Sequence, residues 1–202
     1  MMRSAKLRSV RAFLAVSLAV LCVCGCGHSV PTHYFTLNDI PAQAPLSTVT
    51  AAPVQLTAVH IPAELDRPEV VTRLSGNRLK IDDNDRWGAP LAQMTRNTLA
   101  QDLLTRLPQG SFVFPDAPAA PGTRKLVVTV LDCKGGADGT LTVQAAWTLL
   151  SGQPAVVMLS GEVLLASPRA GGDAAAQAAA LSRILGDLAD RIAASITPSV
   201  TH

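Results

Sequence analysis

Alternating apolar and polar residues predict most of the β-strands in this chain. The clearest run is 140–150, TLTVQAAWTLL, in which Leu141, Val143, Ala145, Trp147 and Leu149 share one face. Such a period of two is expected of a strand with one buried face. Shorter runs predict strands at 33–37, 54–62 and 111–114, and a hairpin of 69–74 and 78–82 around the turn Ser-Gly-Asn.

Two longer runs, 125–133 and 155–166, are apolar on both faces. Strands that are covered on both sides have this composition. We therefore expect both runs in central positions of the sheet, beneath helices.

Two segments repeat apolar residues at helical spacing. The first starts at Pro90, because proline is favoured at the first helical position, and ends before Pro108. The second starts after Asp173, a good N-cap, and runs to about Ile196. The pattern predicts one α+β domain over 33–198, a mixed or antiparallel β-sheet with two main α-helices packed on it.

The N-terminal segment, 1–25, has the features of an export signal. Residues 1–11 contain four basic and no acidic side chains, and 12–23 are apolar except for Ser17. A dozen residues cannot span a bilayer as a helix, which takes about 20, but they suit a secretory signal peptide. The rest of the chain has 13 basic and 15 acidic residues, so it lacks the basic footprint of a nucleic-acid-binding protein.

Three cysteines spaced two apart lie where this segment ends: Cys22 and Cys24 within it, and Cys26 directly after it. Zinc sites need a second ligand pair at finger-like spacing, and redox pairs are separated by two residues. The stretch instead resembles a bacterial lipobox, with Val23 three positions before Cys26 and the small Gly25 directly before it. We expect cleavage before Cys26, a covalent diacylglyceryl and N-acyl lipid on its thiol and amine, and no other cofactor.

Such a lipid would make 26–32 a tether, because two or three acyl chains anchor a protein stably to a bilayer. Gly27 follows the acylated cysteine. In enterobacterial lipoproteins an aspartate at this position retains the protein in the inner membrane. The resemblance therefore implies an outer-membrane anchor, with the domain facing the periplasm.

Few other residues suggest chemistry. Cys133 is expected to be a small buried side chain on a strand, with a reactive or intermolecular thiol as the alternative. The stretch 82–86, DDNDR, suggests a calcium loop, but such a loop needs more ligands and a glycine at a fixed position. We therefore expect no metal site, and the four histidines do not suggest a catalytic group.

Several segments together resemble the PqiC/YmbA-type lipoproteins, also called ABC-type transport auxiliary lipoproteins. These segments are HYFTL, IPAELDRPEVVTRL, DRWGAPL, the alternating LTVQAAWTLL and the C-terminal amphipathic helix. The most specific positions are Leu65, Asp66, Arg67 and Pro68, together with Arg86 and Trp87.

The resemblance implies a non-catalytic periplasmic subunit of a lipid-transport or membrane-integrity system. It would dock at the outer membrane on a partner with mammalian-cell-entry (MCE) domains, as one copy or as a ring or other oligomer. The alternative is a carrier that holds a phospholipid in its own apolar cleft. Asp66 and Arg67 would either fix a turn or contact the partner, and Trp87 would be a packed anchor or an interface residue.

Overall fold

Eight strands and two helices make up the described part of the chain, residues 30–45, 52–74 and 77–196 of the computed structural model. The expected signal peptide and Cys26 lie outside these residues. The elements are β1 (His33–Phe35), β2 (Val54–His60), β3 (Glu69–Arg73), β4 (Leu79–Trp87), α1 (Leu91–Arg106), β5 (Phe112–Val113), β6 (Arg124–Gly135), β7 (Thr140–Ser151), β8 (Val156–Pro168) and α2 (Ala174–Ile196).

All eight described strands form one mixed sheet with β6 at its centre. Strand β7 pairs along one edge of β6, and β2 and β3 share the other edge. Beyond them lie β8 next to β7, β5 next to β2, and β4 with β1 next to β3. The predicted α+β domain with two main helices is confirmed, and the sheet is mixed because β1, β2 and β3 each pair with a parallel neighbour.

The helices cover one face of the sheet and bury the apolar stripe that the sequence predicts. On α2, Ile184, Leu188 and Ile192 are almost completely buried, and on α1 Leu99 and Leu103 are too. The inward residues of β7 lie beneath them, from Leu141 to Leu149 in steps of two. None of the helices in the described part is long and apolar enough to cross a membrane.

Strand β8 differs from the prediction, because it lies at an edge of the sheet and not in its centre. Among the described strands it pairs only with β7. Val156, Val157, Met158 and Leu164 are 58–67% exposed. Apolar composition shows that a segment can be buried but not that another element covers it. In β8 only Leu165 and Ser167 are buried. The central position predicted for 125–133 is correct.

A polar cluster around two buried charged side chains joins α1, α2 and the segment that follows β1. Arg106 is 4% exposed and Asp102 is completely buried. The Arg106 guanidinium donates to both carboxylate oxygens of Asp190 on α2 (2.6 and 3.3 Å) and to the carbonyl oxygen of Ile40 (2.8 Å). The Ile40 N–H donates to Asp102 Oδ1 (2.6 Å). We call Ile40, Asp102, Arg106 and Asp190 the Arg106 cluster.

The Asp102 carboxyl should give the stability of the fold a pH dependence. Burial raises the pKa of Asp102 to about 6, against an ordinary value of 3.8. The folded chain therefore binds a proton more tightly than the unfolded chain between about pH 4 and pH 6. This group should lower the free energy of unfolding as the pH rises through that window, and its effect should be constant above it.

Urea denaturation of the wild type and of Asp102→Asn at several pH values would test this expectation. The asparagine variant does not titrate, so the difference in unfolding free energy, wild type minus variant, should fall between about pH 4 and pH 6. A difference that is flat across this range would show that Asp102 does not titrate there.

Candidate functional site

The three N-terminal segments that carry the family resemblance meet at one place in the fold. Strand β1, from HYFTL, pairs in parallel with the end of β4, from DRWGAPL. The Gly88 N–H donates to the Phe35 carbonyl oxygen (2.8 Å), and the Trp87 N–H donates to the Pro68 carbonyl oxygen (2.8 Å). The Leu65–Pro68 turn and β1 thus both contact the end of β4, directly before the start of α1.

Asp66 caps helix α1 from a distant turn. The helix begins after Pro90, which offers no side-chain acceptor to the free N–H groups of the first turn. Asp66 Oδ1 accepts the N–H of Ala92 (3.0 Å). The turn itself is closed by the Pro62 carbonyl oxygen, which accepts the N–H groups of Leu65 (2.9 Å) and Asp66 (3.2 Å). Asp66 therefore has a structural contact that joins two segments, beyond the turn itself.

Loss of this cap should have a measurable cost. Removal of an N-cap side chain destabilises a helix by about 1 kcal/mol, so Asp66→Ala should lower the free energy of unfolding by about that amount. Asp66→Asn keeps an acceptor oxygen and should lose much less. Asp83→Ala is the matched control, since Asp83 lies exposed on β4. Equal urea midpoints for the Asp66→Ala and Asp83→Ala variants would contradict the capping role.

Leu65 and Trp87 point inward and line a narrow apolar cavity between the sheet and both helices. Both residues are 4% exposed. Trp87 Nε1 and the Thr95 hydroxyl are buried and have no hydrogen-bond partner among the described residues. The free space in the cavity is about 30 Å³, and a water molecule needs roughly 10–15 Å³. The cavity therefore has room for about two water molecules and not for a lipid.

The opposite side of the same strands presents an exposed polar face. Tyr34 of β1 and Glu69 of β3 are both register partners of Arg86 on β4, so the three side chains share one face of the sheet. Tyr34 is 69% exposed, and the Arg67 Nε donates to Glu69 Oε2 (3.3 Å). We call Tyr34, Arg67, Glu69 and Arg86 the Tyr34 face.

The charges of this face are coupled. The N–H of Glu69 itself, and then the guanidinium groups of Arg67 and Arg86, hold the pKa of Glu69 below its ordinary value. Glu69 is therefore ionised at neutral pH between two cations. Tyrosine and arginine are over-represented at the energetically dominant positions of protein interfaces, so the composition suits a docking surface.

The predicted site residues thus divide by role. Leu65 and Trp87 belong to the core, and Asp66 and the carbonyl of Pro68 hold the turn in place. Arg67 is exposed, whereas Arg86 is half-buried and its Nε is buried without a hydrogen-bond partner among the described residues. Tyr34 and Glu69 were not among the predicted site residues, although the alternation in HYFTL places Tyr34 opposite the inward Phe35.

The remaining candidates for chemistry have structural partners. Residues 82–86 belong to strand β4 and not to a loop. Asp82 pairs with Lys80 (3.1 Å) and Asp85 with His33 (3.0 Å). In the described part of the chain no three His, Cys, Asp or Glu side chains come together as a metal site. Burial, and then the charge of Asp132, raise the pKa of the Cys133 thiol to about 12, as expected of an unreactive side chain on a strand.

Comparison with known proteins identifies the family. The model of the ABC-type transport auxiliary lipoprotein component family matches residues 35–193. The chain belongs to this family. Lipoproteins named intermembrane transport lipoprotein PqiC, from Escherichia coli strain K12 and from Shigella flexneri, are each 30% identical over 137 residues. This alignment covers 66% of the present chain and 72% of each relative.

Solved structures agree with the auxiliary-lipoprotein fold. A crystal structure of an uncharacterised protein superposes with a TM-score of 0.68 at 22% identity, over 83% of this chain and all of that one. Protein XCC0632 from Xanthomonas campestris gives 0.64 at 16% identity, over 83% of this chain and 95% of that one. At these identities the likeness extends to the fold alone.

Proposed function

We propose that this auxiliary lipoprotein is a non-catalytic adaptor of an intermembrane lipid-transport system. An acyl group on Cys26 would hold it at the outer membrane, and the folded domain would dock an MCE-type partner in the periplasm. The observation that carries the proposal is the convergence of the family segments on the exposed Tyr34 face. The name of the PqiC relatives, intermembrane transport lipoprotein, supports the transport system.

The anchor can be tested by cell fractionation. Cys26→Ser removes the only thiol that can accept the lipid in this proposal, so the variant should be lost from the outer-membrane fraction. Cys24→Ser is the matched control, because Cys24 would be discarded with the signal peptide. Retention of the Cys26→Ser variant in the outer membrane, or mass spectra showing residues 1–25 on the mature chain, would refute the anchor.

The docking face can be tested by capture of the MCE partner from cells. Arg67 is exposed and its carbon chain is not part of the core, so Arg67→Glu should weaken capture while the fold is retained. Tyr34→Ala should do the same through loss of an exposed aromatic contact. Arg78→Glu makes the same charge change at the other end of the β3–β4 hairpin and should leave capture intact. If the Arg67→Glu and Tyr34→Ala variants capture the partner as well as the Arg78→Glu control does, the docking surface lies elsewhere.

The carrier alternative has less support from the structure. A phospholipid needs an apolar cavity of several hundred Å³, whereas the cavity behind Leu65 and Trp87 has about 30 Å³ of free space. Phospholipid that co-purifies with the folded domain in stoichiometric amounts would favour the carrier over the adaptor.

A further inference from the structure

The end of the β7–β8 hairpin is apolar and uncovered on both faces. Every residue from Gly152 to Met158 is exposed, and Val156, Val157 and Met158 are 58–60% exposed. Neighbouring residues of a strand point to opposite faces, so neither face of the sheet is covered here. We call Pro154–Met158 the apolar tip.

The apolar tip has an unusual charge environment. From Ser151 to Gly161 the chain has no charged residue. The base of the tip is basic, because the exposed Lys125 is the register partner of Leu150 and follows Arg124 in the chain. A bilayer with anionic headgroups is complementary to this arrangement. Its interface accommodates apolar side chains, and its surface charge attracts basic ones.

The length of the tether is compatible with a shared membrane plane. The pairing registers show how far Thr32 is from Leu150 along the strand direction. The separation is about six residues, or about 20 Å. Six residues, 26–31, can span at most about 20 Å when extended. Strand β1 runs toward the level of Leu150, so the tether must turn back after Thr32 and be fully extended for a lipid on Cys26 to approach the plane at the base of the tip. The tip itself extends beyond that plane.

We propose that the apolar tip inserts into the headgroup region of an anionic phospholipid bilayer as a second membrane contact. The inference rests on the proposed acyl anchor at Cys26. Pairing of the β8 edge with a second copy would cover the backbone edge of the strand and leave Val156, Val157 and Met158 open on both faces. Insertion covers both faces at once. The strands of the sheet would then run roughly perpendicular to the membrane plane.

A fluorophore at the tip tests the inference. The acylated full-length mature protein carrying Met158→Cys is labelled with nitrobenzoxadiazole and reconstituted into vesicles of phosphatidylethanolamine and phosphatidylglycerol. Labelling is selective, because burial raises the pKa of the remaining thiol, Cys133, to about 12. We expect a blue shift on vesicle binding and quenching by brominated lipids. The control is Ile81→Cys, exposed on β4 near the opposite end of the sheet.

Three results would overturn the inference, and they differ from one another. If the protein floats with the vesicles while the Met158 probe stays as accessible to water as the Ile81 probe, the tip does not insert although the anchor holds. If the acylated protein does not float at all, the anchor fails and the inference fails with it. A blue shift without vesicles that grows with protein concentration would show that a second copy covers the tip.

Discussion

Replacing Arg106 by alanine should lower the free energy of unfolding by about 3–5 kcal/mol. That is the usual cost of removing one member of a buried ion pair, because the other member stays buried without compensation. The buried partner is Asp102, 3.8 Å from the guanidinium, since the Asp190 side chain is 60% exposed. Here Asp102 is completely buried, and its Oδ2 already has no hydrogen-bond partner among the described residues. The Ile40 carbonyl and the Asp190 carboxylate would lose their donors as well.

A second arginine on the same helix provides the control. Arg96 donates to both oxygens of Asp116 (2.7 and 2.8 Å), but the Asp116 side chain is 80% exposed. Exposed ion pairs contribute about 1 kcal/mol or less, so Arg96→Ala should cost no more than that. Arg106→Lys keeps the charge but not the planar fork that reaches Asp190 and Ile40 together, and should fall between the two.

Urea denaturation at pH 7 followed by circular dichroism would give the three values. If Arg106→Ala and Arg96→Ala cost the same, the burial of Arg106 with Asp102 does not determine the energy of this pair. The Arg106 substitution should also change the segment after β1, because the Ile40 carbonyl accepts from the guanidinium. Hydrogen exchange at the amides of residues 38–42 should therefore be faster in the Arg106→Ala variant.

The Arg106 cluster shows where prediction from sequence ends. The helical period of apolar residues predicts α1 and its buried side correctly, since burial of one side imposes that period. The same period cannot show that Asp102 and Arg106 are buried too. Whether a charged side chain is buried depends on partners from other elements, here Asp190 and Ile40, and no local spacing reveals them.

The same reasoning applies to the candidate site. Leu65, Asp66, Arg86 and Trp87 could be selected by resemblance, but their separate roles could not. Asp66 caps a helix that begins 25 residues later, a contact created by the turn at Pro62 and by the path of β4. The edge position of β8 was likewise hidden, because its composition equals that of a covered strand. What covers a strand depends on the whole topology.

Gly161→Ala should be the second severe substitution, with a cost of about 3 kcal/mol. Gly161 on β8 lies directly opposite Trp147 on β7, and the indole ring covers the glycine. A Cβ at position 161 would lie closer than 3.0 Å to three ring atoms of Trp147. Overpacking of this kind costs about 1–3 kcal/mol. The ring cannot move freely, because Trp147 is 6% exposed and its Nε1 donates to Ser195 Oγ on α2 (3.0 Å).

The cost should depend on Trp147 and not on glycine as such. Gly172→Ala is the matched control, because a Cβ there meets no atom within 4 Å. The cost of Gly161→Ala should shrink by half or more in a Trp147→Leu background, since the smaller side chain leaves room for the methyl group. Thermal and urea unfolding of the four combinations would give the coupling energy. Additive costs would show that the alanine acts on β8 alone, whereas strong coupling would establish that the Trp147 ring holds β7, β8 and the last turn of α2 together.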